Sequence, residues 1–575
     1  MKRRSSKKKT INTGKLRSKK NSIYIGRLLV LLGLVLVGIL LVIFLPRRSW
    51  GQNQRNSAGK PPSSSTPVSM NKEASRPAAV PQAAKPTAAS KAVSKIRNAR
   101  GTNIIICVLD AARPDHMGCY GYPRPTTPTI DRLAKESLVF DRHFCQYPVT
   151  ELSTGALFES KYVFKNQFPS MSLVEWLQQL GFNTMLYSGN IKTSFAAPMG
   201  KGFNSVFPSA RRMGQWQGRM TGPQEKNWDQ AWSRKMGLDR LGRLPIRGGG
   251  APRSDRFNKP EELLTEFGKW LATKPTQRFF AYLHFVPPHL PYEPPQKMLA
   301  LFQGKKPPDY WHARSAMLPA GAENGDKPPL LAGGEGSAED TINLYDANLR
   351  YADWAVEQLV QSLKKAGVYD NTLLIITADH GESLGEHNYG WHPGCPYDEA
   401  LRIPLIMHFP GKGGPRGRIK ALTQTVDLLP TLLDIHNLHC PGTAKGRSLL
   451  PLIAGDKTAI NSYSFSGAGQ ARLCDTYVVR DLQSTLMLSD DGKTRALYDD
   501  VKDPRQTKNI IKSDPARAAK LVEAFRRFAL AQPEPPLYFI DPTKKWKSNP
   551  DSVGPKPEAM SEEVRRQLKT LGYIK

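Results

Sequence analysis

From Thr102 onward, short apolar runs alternate with amphipathic stretches. Asn103–Leu109 is too short for a helix and is dominated by isoleucine and valine. Such a run reads as a strand buried on both faces. Thr184–Tyr187, Phe279–Phe285, Thr372–Thr377 and Ile403–Phe409 read the same way. Between them, Ser172-Leu-Val-Glu175 is a capping box, with Gly181 as the matching stop. Across Tyr345–Lys365, apolar residues fall at Ala352, Ala355, Val356, Leu359 and Leu363, the spacing of an amphipathic helix. This alternation predicts an α/β fold, a mixed sheet flanked by helices. Past Leu450 the pattern becomes α+β. Two stretches interrupt it, Ala210–Arg256 (rich in Gly, Arg and Trp) and Gly304–Asp340 (rich in Pro and Gly). Both read as long loops, either lids over an active face or solvated segments with no catalytic use.

Ahead of this region the pattern differs. Leu28–Leu45 is an unbroken apolar run of eighteen residues, long enough to span a bilayer as a transmembrane helix. Eleven basic residues precede it and Arg47, Arg48 and Arg55 follow, which places the N-terminus in the cytoplasm and the bulk of the chain outside. A cleaved signal peptide is the rival, but no small-x-small site follows Leu45. Trp50–Arg100, rich in Pro, Ser, Ala and Lys, cannot bury a core and reads as a tether. The chain thus divides into a basic tail (1–27), an anchor (28–45), a linker (46–100), a catalytic domain (101–455) and a C-terminal subdomain (456–575). The formal charge of +32 is uneven, with 22 Lys and Arg in the first hundred residues against a single acid, Glu73. The folded part is only mildly basic, and nothing in it predicts a nucleic-acid partner. The cysteines at 107, 119, 145, 395, 440 and 474 show neither CxxC nor metal spacing, and an exported domain could pair some of them.

Candidate chemistry starts at Asp110, directly after the first apolar run, where open α/β sheets bind ligands. A lone acid there also suits a helix cap. The segment Leu109-Asp110, Arg113–Tyr122 and Pro125–Leu133 resembles the opening of the sulfatase family, within the alkaline phosphatase superfamily. Leu283–Tyr292, Thr377–Glu382 and Tyr397–Leu405 carry the resemblance on, and with gaps it runs from Thr102 to Lys575. It implies a sulfatase-like sheet and a small C-terminal antiparallel subdomain, to which Leu497–Pro504 and Leu568–Ile574 correspond.

The resemblance implies one divalent metal ion held by Asp110, Thr150, Asp379 and His380, with Thr150 also the nucleophile. The imidazole favours Zn²⁺ or Mn²⁺, with Ca²⁺ the remaining option. The two-zinc members of the superfamily place an Asp four residues before a His. Four before His289 stands Phe285, so a single metal is expected. His289 and His392 then become donors to the ester oxygens or leaving group, and His387 is a weaker candidate.

The departures from the family bear on the reaction. Active sulfatases carry Cys-x-Pro-x-Arg, or Ser in place of Cys, whose first residue is oxidised to formylglycine. Here Thr150-Glu-Leu-Ser-Thr154 takes that place. Threonine cannot become an aldehyde because its Cβ bears a methyl, and both Pro and Arg are gone. The sulfate-binding Gly-Lys-x-His segment is also absent, the nearest text being Gly189–Thr193. A Thr nucleophile with one acid and then Asp-His is similar to phosphoethanolamine transferases and lipoteichoic acid synthases, which are membrane-anchored with the catalytic domain outside. The expected function is therefore a membrane-anchored, periplasmic or extracellular hydrolase or transferase acting on phosphoryl-type esters, lipid- or glycan-linked among the options. The alternatives are a sulfuric ester hydrolase and a sulfatase-like binding protein without catalysis.

Overall fold

The computed structural model describes residues 101–162, 172–190, 193, 202–207, 259–290, 292–308, 338–392, 394–411, 413–438, 440, 442–469, 476–489 and 494–531. The Leu28–Leu45 span, the tether, the Ala210–Arg256 insert and Leu568–Ile574 lie outside them. Among the described residues no helix is long and apolar enough to cross a membrane.

The strands in chain order are β1 (Asn103–Leu109), β2 (Leu138–Phe144), β3 (Asn183–Ser188), β4 (Ser205–Phe207), β5 (Phe279–Phe285), β6 (Thr372–Thr377), β7 (Ser383–Leu384), β8 (Gly390–Trp391), β9 (Arg402–Ile403), β10 (Leu405–His408), β11 (Gly417–Gln424), β12 (Ser464–Ala468), β13 (Thr476–Arg480), β14 (Ser484–Ser489) and β15 (Thr494–Asp499). The main sheet runs β11-β2-β10-β6-β1-β5-β3-β4, with β9 paired to β2. Its centre, β6-β1-β5-β3, is parallel, and β10 is antiparallel to its neighbours.

β1 is central and buried along its whole length. Its alternation divides the core into two layers. Ile105, Cys107 and Leu109 pack against the helices Pro260–Ala272 and Ala338–Lys365, through residues such as Phe267, Leu349 and Val356. Ile104, Ile106 and Val108 pack on the other side, against Leu177 and the helix Leu428–Ile435. Each such aliphatic side chain contributes roughly 1.5–3 kcal/mol by leaving water.

Two expectations are corrected. The run Ile403–Phe409 is not one strand. It breaks at Pro404, which has no N–H for the ladder, so that Ile403 ends β9 and Leu405 begins β10. The Gly304–Asp340 insert does not extend to Asp340. Ala338–Asp340 already form the first turn of the long helix, where Glu339 and Asp340 suit its positive end. The rest of that insert beyond Pro308 lies outside the described residues.

A second sheet, β12-β13-β14-β15, is antiparallel and packs its apolar face on the helix Pro515–Leu530 through Leu521, Phe525 and Ala529. It meets the main sheet through the buried guanidinium of Arg480, which pairs with Asp398 at 3.0 Å and lies over the Phe144 ring. Cys107, Cys119, Cys145, Cys395 and Cys440 are free thiols, and burial pushes those of Cys107, Cys145 and Cys395 far up.

Past β6 the chain turns through Gly381, whose N–H donates to the Ala400 carbonyl at 2.8 Å. A Cβ there would collide with the backbone carbonyl of Glu399. Gly381→Ala should therefore lower stability by about 1–3 kcal/mol, the usual cost of overpacking. The unfolding midpoint in urea checks this, and an unchanged midpoint would show that the turn yields freely.

Candidate active site

Four adjacent parallel strands end in one row. Thr377, Val108, His284 and Ser188 are register partners across β6, β1, β5 and β3. Two residues further along the chain, just past the strand ends, come Asp379, Asp110 and Asn190, so residues far apart in sequence reach one place. The hydrogen-bond ladder itself thus sets the two carboxylates side by side.

Asp110 is 0% exposed and Asp379 3%. Their inner oxygens are satisfied. Asn190 Nδ2 donates to Asp110 Oδ2 at 2.7 Å, and His284 Nε2 stands 3.1 Å from the same oxygen. Asp379 Oδ1 accepts the N–H groups of Ala111 at 3.2 Å and His380 at 2.9 Å. The outer oxygens, Asp110 Oδ1 and Asp379 Oδ2, have no hydrogen-bond partner among the described residues. His380 Nε2 faces them at 3.7 and 3.5 Å. Its Nδ1 bonds the Gly381 carbonyl at 2.8 Å, which assigns the proton to Nδ1 and leaves Nε2 with a lone pair.

Two carboxylate oxygens without a hydrogen-bond partner among the described residues and an imidazole nitrogen thus converge, buried. Buried anions are tolerated only when paired or coordinating a metal. The donor set fits a divalent cation, and the His380–carbonyl bond is the outer-shell contact that orients a metal-ligating histidine. Burial works against the charge on Asp110, but the imidazoles of His289, His284 and His380 outweigh it and hold that carboxyl well below the usual range. Burial also opposes charge on His284, and the bond to Asp110 prevails and raises it.

Thr150 opens the helix Thr150–Glu159 and is 3% exposed. Its Oγ1 lies 3.2 Å from His380 Nε2, at the helix end where negative charge is favoured. The neighbouring hydroxyls face elsewhere. Ser153 donates to the Asp379 carbonyl and Thr154 to the carbonyl of Thr150 itself. Of the three hydroxyls in Thr150–Thr154, Thr150 alone faces the carboxylate–imidazole centre.

His289 and His392 stand beside this centre. The His392 ring stacks on that of His380 at 4.1 Å, and His289 lies 5.0 Å from His392 and 6.1 Å from His380. His387 points away. It bonds Glu399 at 2.7 Å and the Gln506 carbonyl at 3.1 Å, and stacks on Tyr397 at 3.7 Å, so it fastens this loop to the C-terminal subdomain.

Asn190, His284 and Glu382 are site residues that the sequence reading passed over. His284 and Glu382 sit inside the motifs Leu283–Tyr292 and Thr377–Glu382, and the strand-end position of His284 was available as a signal. Asn190 carried none, since its role depends on β3 lying next to β5.

Residues 102–438 match the family model described as Sulfatase, and 385–527 match the one described as N-sulphoglucosamine sulphohydrolase, C-terminal. An arylsulfatase of Clostridium perfringens is 24% identical over 245 residues, 42% of this chain, and the match spans 50% of that relative's length. The ulvan-active sulfatase of Formosa agariphila is 24% identical over 430 residues, 71% of this chain and 77% of that protein. The solved phosphonate monoester hydrolase of Agrobacterium radiobacter shares the fold, with a TM-score of 0.56 and 22% identity over 75% of this chain and 95% of its own. With its family model covering more than half of its length and both carboxylates gathered at the strand ends, the chain belongs to the sulfatase family of the alkaline phosphatase superfamily, whose enzymes are metal-dependent hydrolases.

Proposed function

We propose that this chain is a membrane-anchored, extracytoplasmic enzyme that hydrolyses or transfers phosphoryl-type esters through a covalent intermediate on Thr150. The observation that carries this reading is the Thr150 hydroxyl, 3.2 Å from His380 Nε2 at a helix N-terminus, while Ser153 and Thr154 are committed to carbonyls. Asp110, Asp379, His380 and Thr150 would hold a divalent cation, which when bound supplies Lewis-acid polarisation of the ester and a more acidic Thr150 hydroxyl. Thr150 Oγ1 attacks phosphorus, the bond to the leaving oxygen breaks, and water or an acceptor alcohol then opens the phosphothreonine. His289 and His392 serve the ester oxygens and the departing group.

The residue type favours phosphorus over sulfur. An alkyl sulfate on threonine hydrolyses slowly at sulfur, and formylglycine hydrate avoids this by expelling sulfate from a hemiacetal. Thr150 has no second hydroxyl with which to do so. The similarity to a phosphonate monoester hydrolase supports the phosphoryl reading. Sulfate-ester cleavage is the second reading, favoured by the relatives named as sulfatases.

Anchoring rests on the Leu28–Leu45 run and its basic flank. The full chain should stay with membranes through a high-salt wash and be cut by protease added outside, whereas release by salt alone would refute the anchor. Asp379→Ala and His380→Ala should each release the metal at this centre and abolish activity, with far-UV circular dichroism unchanged. Elemental analysis finding only calcium in active protein would count against the Zn²⁺ or Mn²⁺ assignment. Thr150→Ala should lose about a thousandfold or more in kcat, since it removes the nucleophile, and Thr150→Ser should keep partial activity. Mass spectrometry of protein trapped with an aryl phosphodiester should place the adduct on Thr150, and an adduct on Ser153 or Thr154 would overturn the mechanism.

A further inference from the structure

Strands β7 and β8 pair antiparallel as a small hairpin, Ser383 with Trp391 and Leu384 with Gly390. Glu382 and His392 flank its open end and meet there, Oε1 to Nδ1, at 3.4 Å. His387 lies in the turn at its closed end, Glu386–Asn388. The hairpin thus links two regions. At one end His387 reaches the Gln506 carbonyl, and at the other His392 stacks on His380.

The contacts of His387 call for a charged ring. Its Nδ1 lies 2.7 Å from Glu399 Oε1 and its Nε2 3.1 Å from the Gln506 carbonyl. A carbonyl and an ionised carboxylate only accept, and a neutral imidazole has one N–H, so both bonds form only on the imidazolium. The Tyr397 ring is stacked on it at 3.7 Å with 2° between the planes, and an aromatic face attracts a cation. The backbone φ of 53° at His387 is in the left-handed region, uncommon outside glycine and held here by these contacts. Burial opposes the charge, but the bond to Glu399 and its negative charge, then the Gln506 carbonyl, outweigh it and raise His387 above the ordinary imidazole value.

Other ionisable groups surround the turn. Glu386, on the turn itself, pairs with Arg113 at 2.9 Å. Cys395 Sγ lies 3.9 Å from Glu399 Oε1, and the Tyr498 and Tyr397 hydroxyls are 3.3 Å apart. Gln506 Nε2 donates to Asp398 at 3.3 Å and to Asp500 at 3.2 Å, and Arg480 pairs with Asp398. Burial pushes the Cys395 thiol and both phenols up, further from the imidazole range. Burial and then the charge of Asp398 push Asp500 up to about 6, so it ionises before His387 loses its proton.

We infer that His387, as the imidazolium, is a positioning residue that latches the β7–β8 hairpin to the C-terminal subdomain and so holds His392 toward the departing group. It touches no reacting atom, and its effect on turnover rests on the role given above to His392. The latch is complete below the ordinary imidazole value and is lost as pH rises through the raised one.

The test begins without substrate. In the full chain labelled with ¹³C-histidine, the His387 Cε1 resonance is assigned by its loss in His387→Asn, since asparagine tolerates the left-handed backbone. It should show a charged ring at pH 7. Glu399→Gln removes the carboxylate that holds the proton and should move the titration down by on the order of one pH unit. With aryl phosphodiesters, kcat should fall about ten- to a hundredfold as pH rises through the same point, with KM nearly constant. The fall should be larger for a phenyl than for a 4-nitrophenyl leaving group, which has less need of a proton donor. In Glu399→Gln it should move down together with the titration. A ring that is neutral at pH 7, or a fall in kcat that does not follow its titration, would overturn the latch, and equal falls for the two leaving groups would overturn its action through His392. If Thr150→Ala stays active or only aryl sulfates are cleaved, the proposed reaction fails, and the latch is judged on the resonance and on kcat for the ester that is cleaved.

Discussion

Two carboxylates, Asp110 and Asp379, are held side by side in the interior, each with one oxygen satisfied and one without a partner among the described residues. Removing each such ion from water costs several kcal/mol, and two like charges at close range add to that cost. The fold imposes the arrangement through register, because both residues lie two positions beyond the paired Val108 and Thr377. The rest of the site answers it. Asn190 and the backbone N–H groups of Ala111 and His380 stabilise the inner oxygens, and His380 turns its lone pair toward the outer ones. Ser153 fastens the Thr150 helix to the same strand end through the Asp379 carbonyl. A divalent cation suits the two oxygens that have no partner among the described residues.

On the reading proposed above, Thr150–Thr154 in the place of the family's formylglycine motif alters the electrostatics as well as the nucleophile. In place of the family's arginine stands Thr154, which carries no charge and spends its hydroxyl on the Thr150 carbonyl. Positive charge for an anionic ester must then come from elsewhere. The cluster of His289, His392 and His380 beside the carboxylates is the concentration of imidazoles at this end of the sheet.

The loop bearing Glu382 and His392 is held from both sides. Arg113, from the strand-end segment after β1, grips Glu382 and Glu386. From the other side, His387 and Asp398 tie it to Gln506 and Arg480 of the C-terminal subdomain. Such clamping gives the C-terminal subdomain a positioning role, since its described residues restrain the loop from outside the carboxylate centre.

The sequence alone determined the central strands, because a short run such as Asn103–Leu109 or Phe279–Phe285 has no stable fate except burial on both faces. It also marked Asp110, Thr150, Asp379 and His380, each adjacent to a run or turn whose end could be read locally, and family resemblance named their roles. Pro404 was visible too, and its break in the strand follows from its missing N–H. Other features depended on contacts between distant segments. Asn190 and His284 become partners of Asp110 only because β3, β5 and β1 are neighbours in register, and the order of strands in a sheet is not encoded by any one of them. His387 resembled its neighbouring histidines in sequence, yet Glu399 and Gln506 turn it away from the site. Glu382, close in sequence to His392, meets His289 across a separation of nearly a hundred residues. Periodicity and spacing report what a segment buries, whereas only packing decides which buried groups face each other.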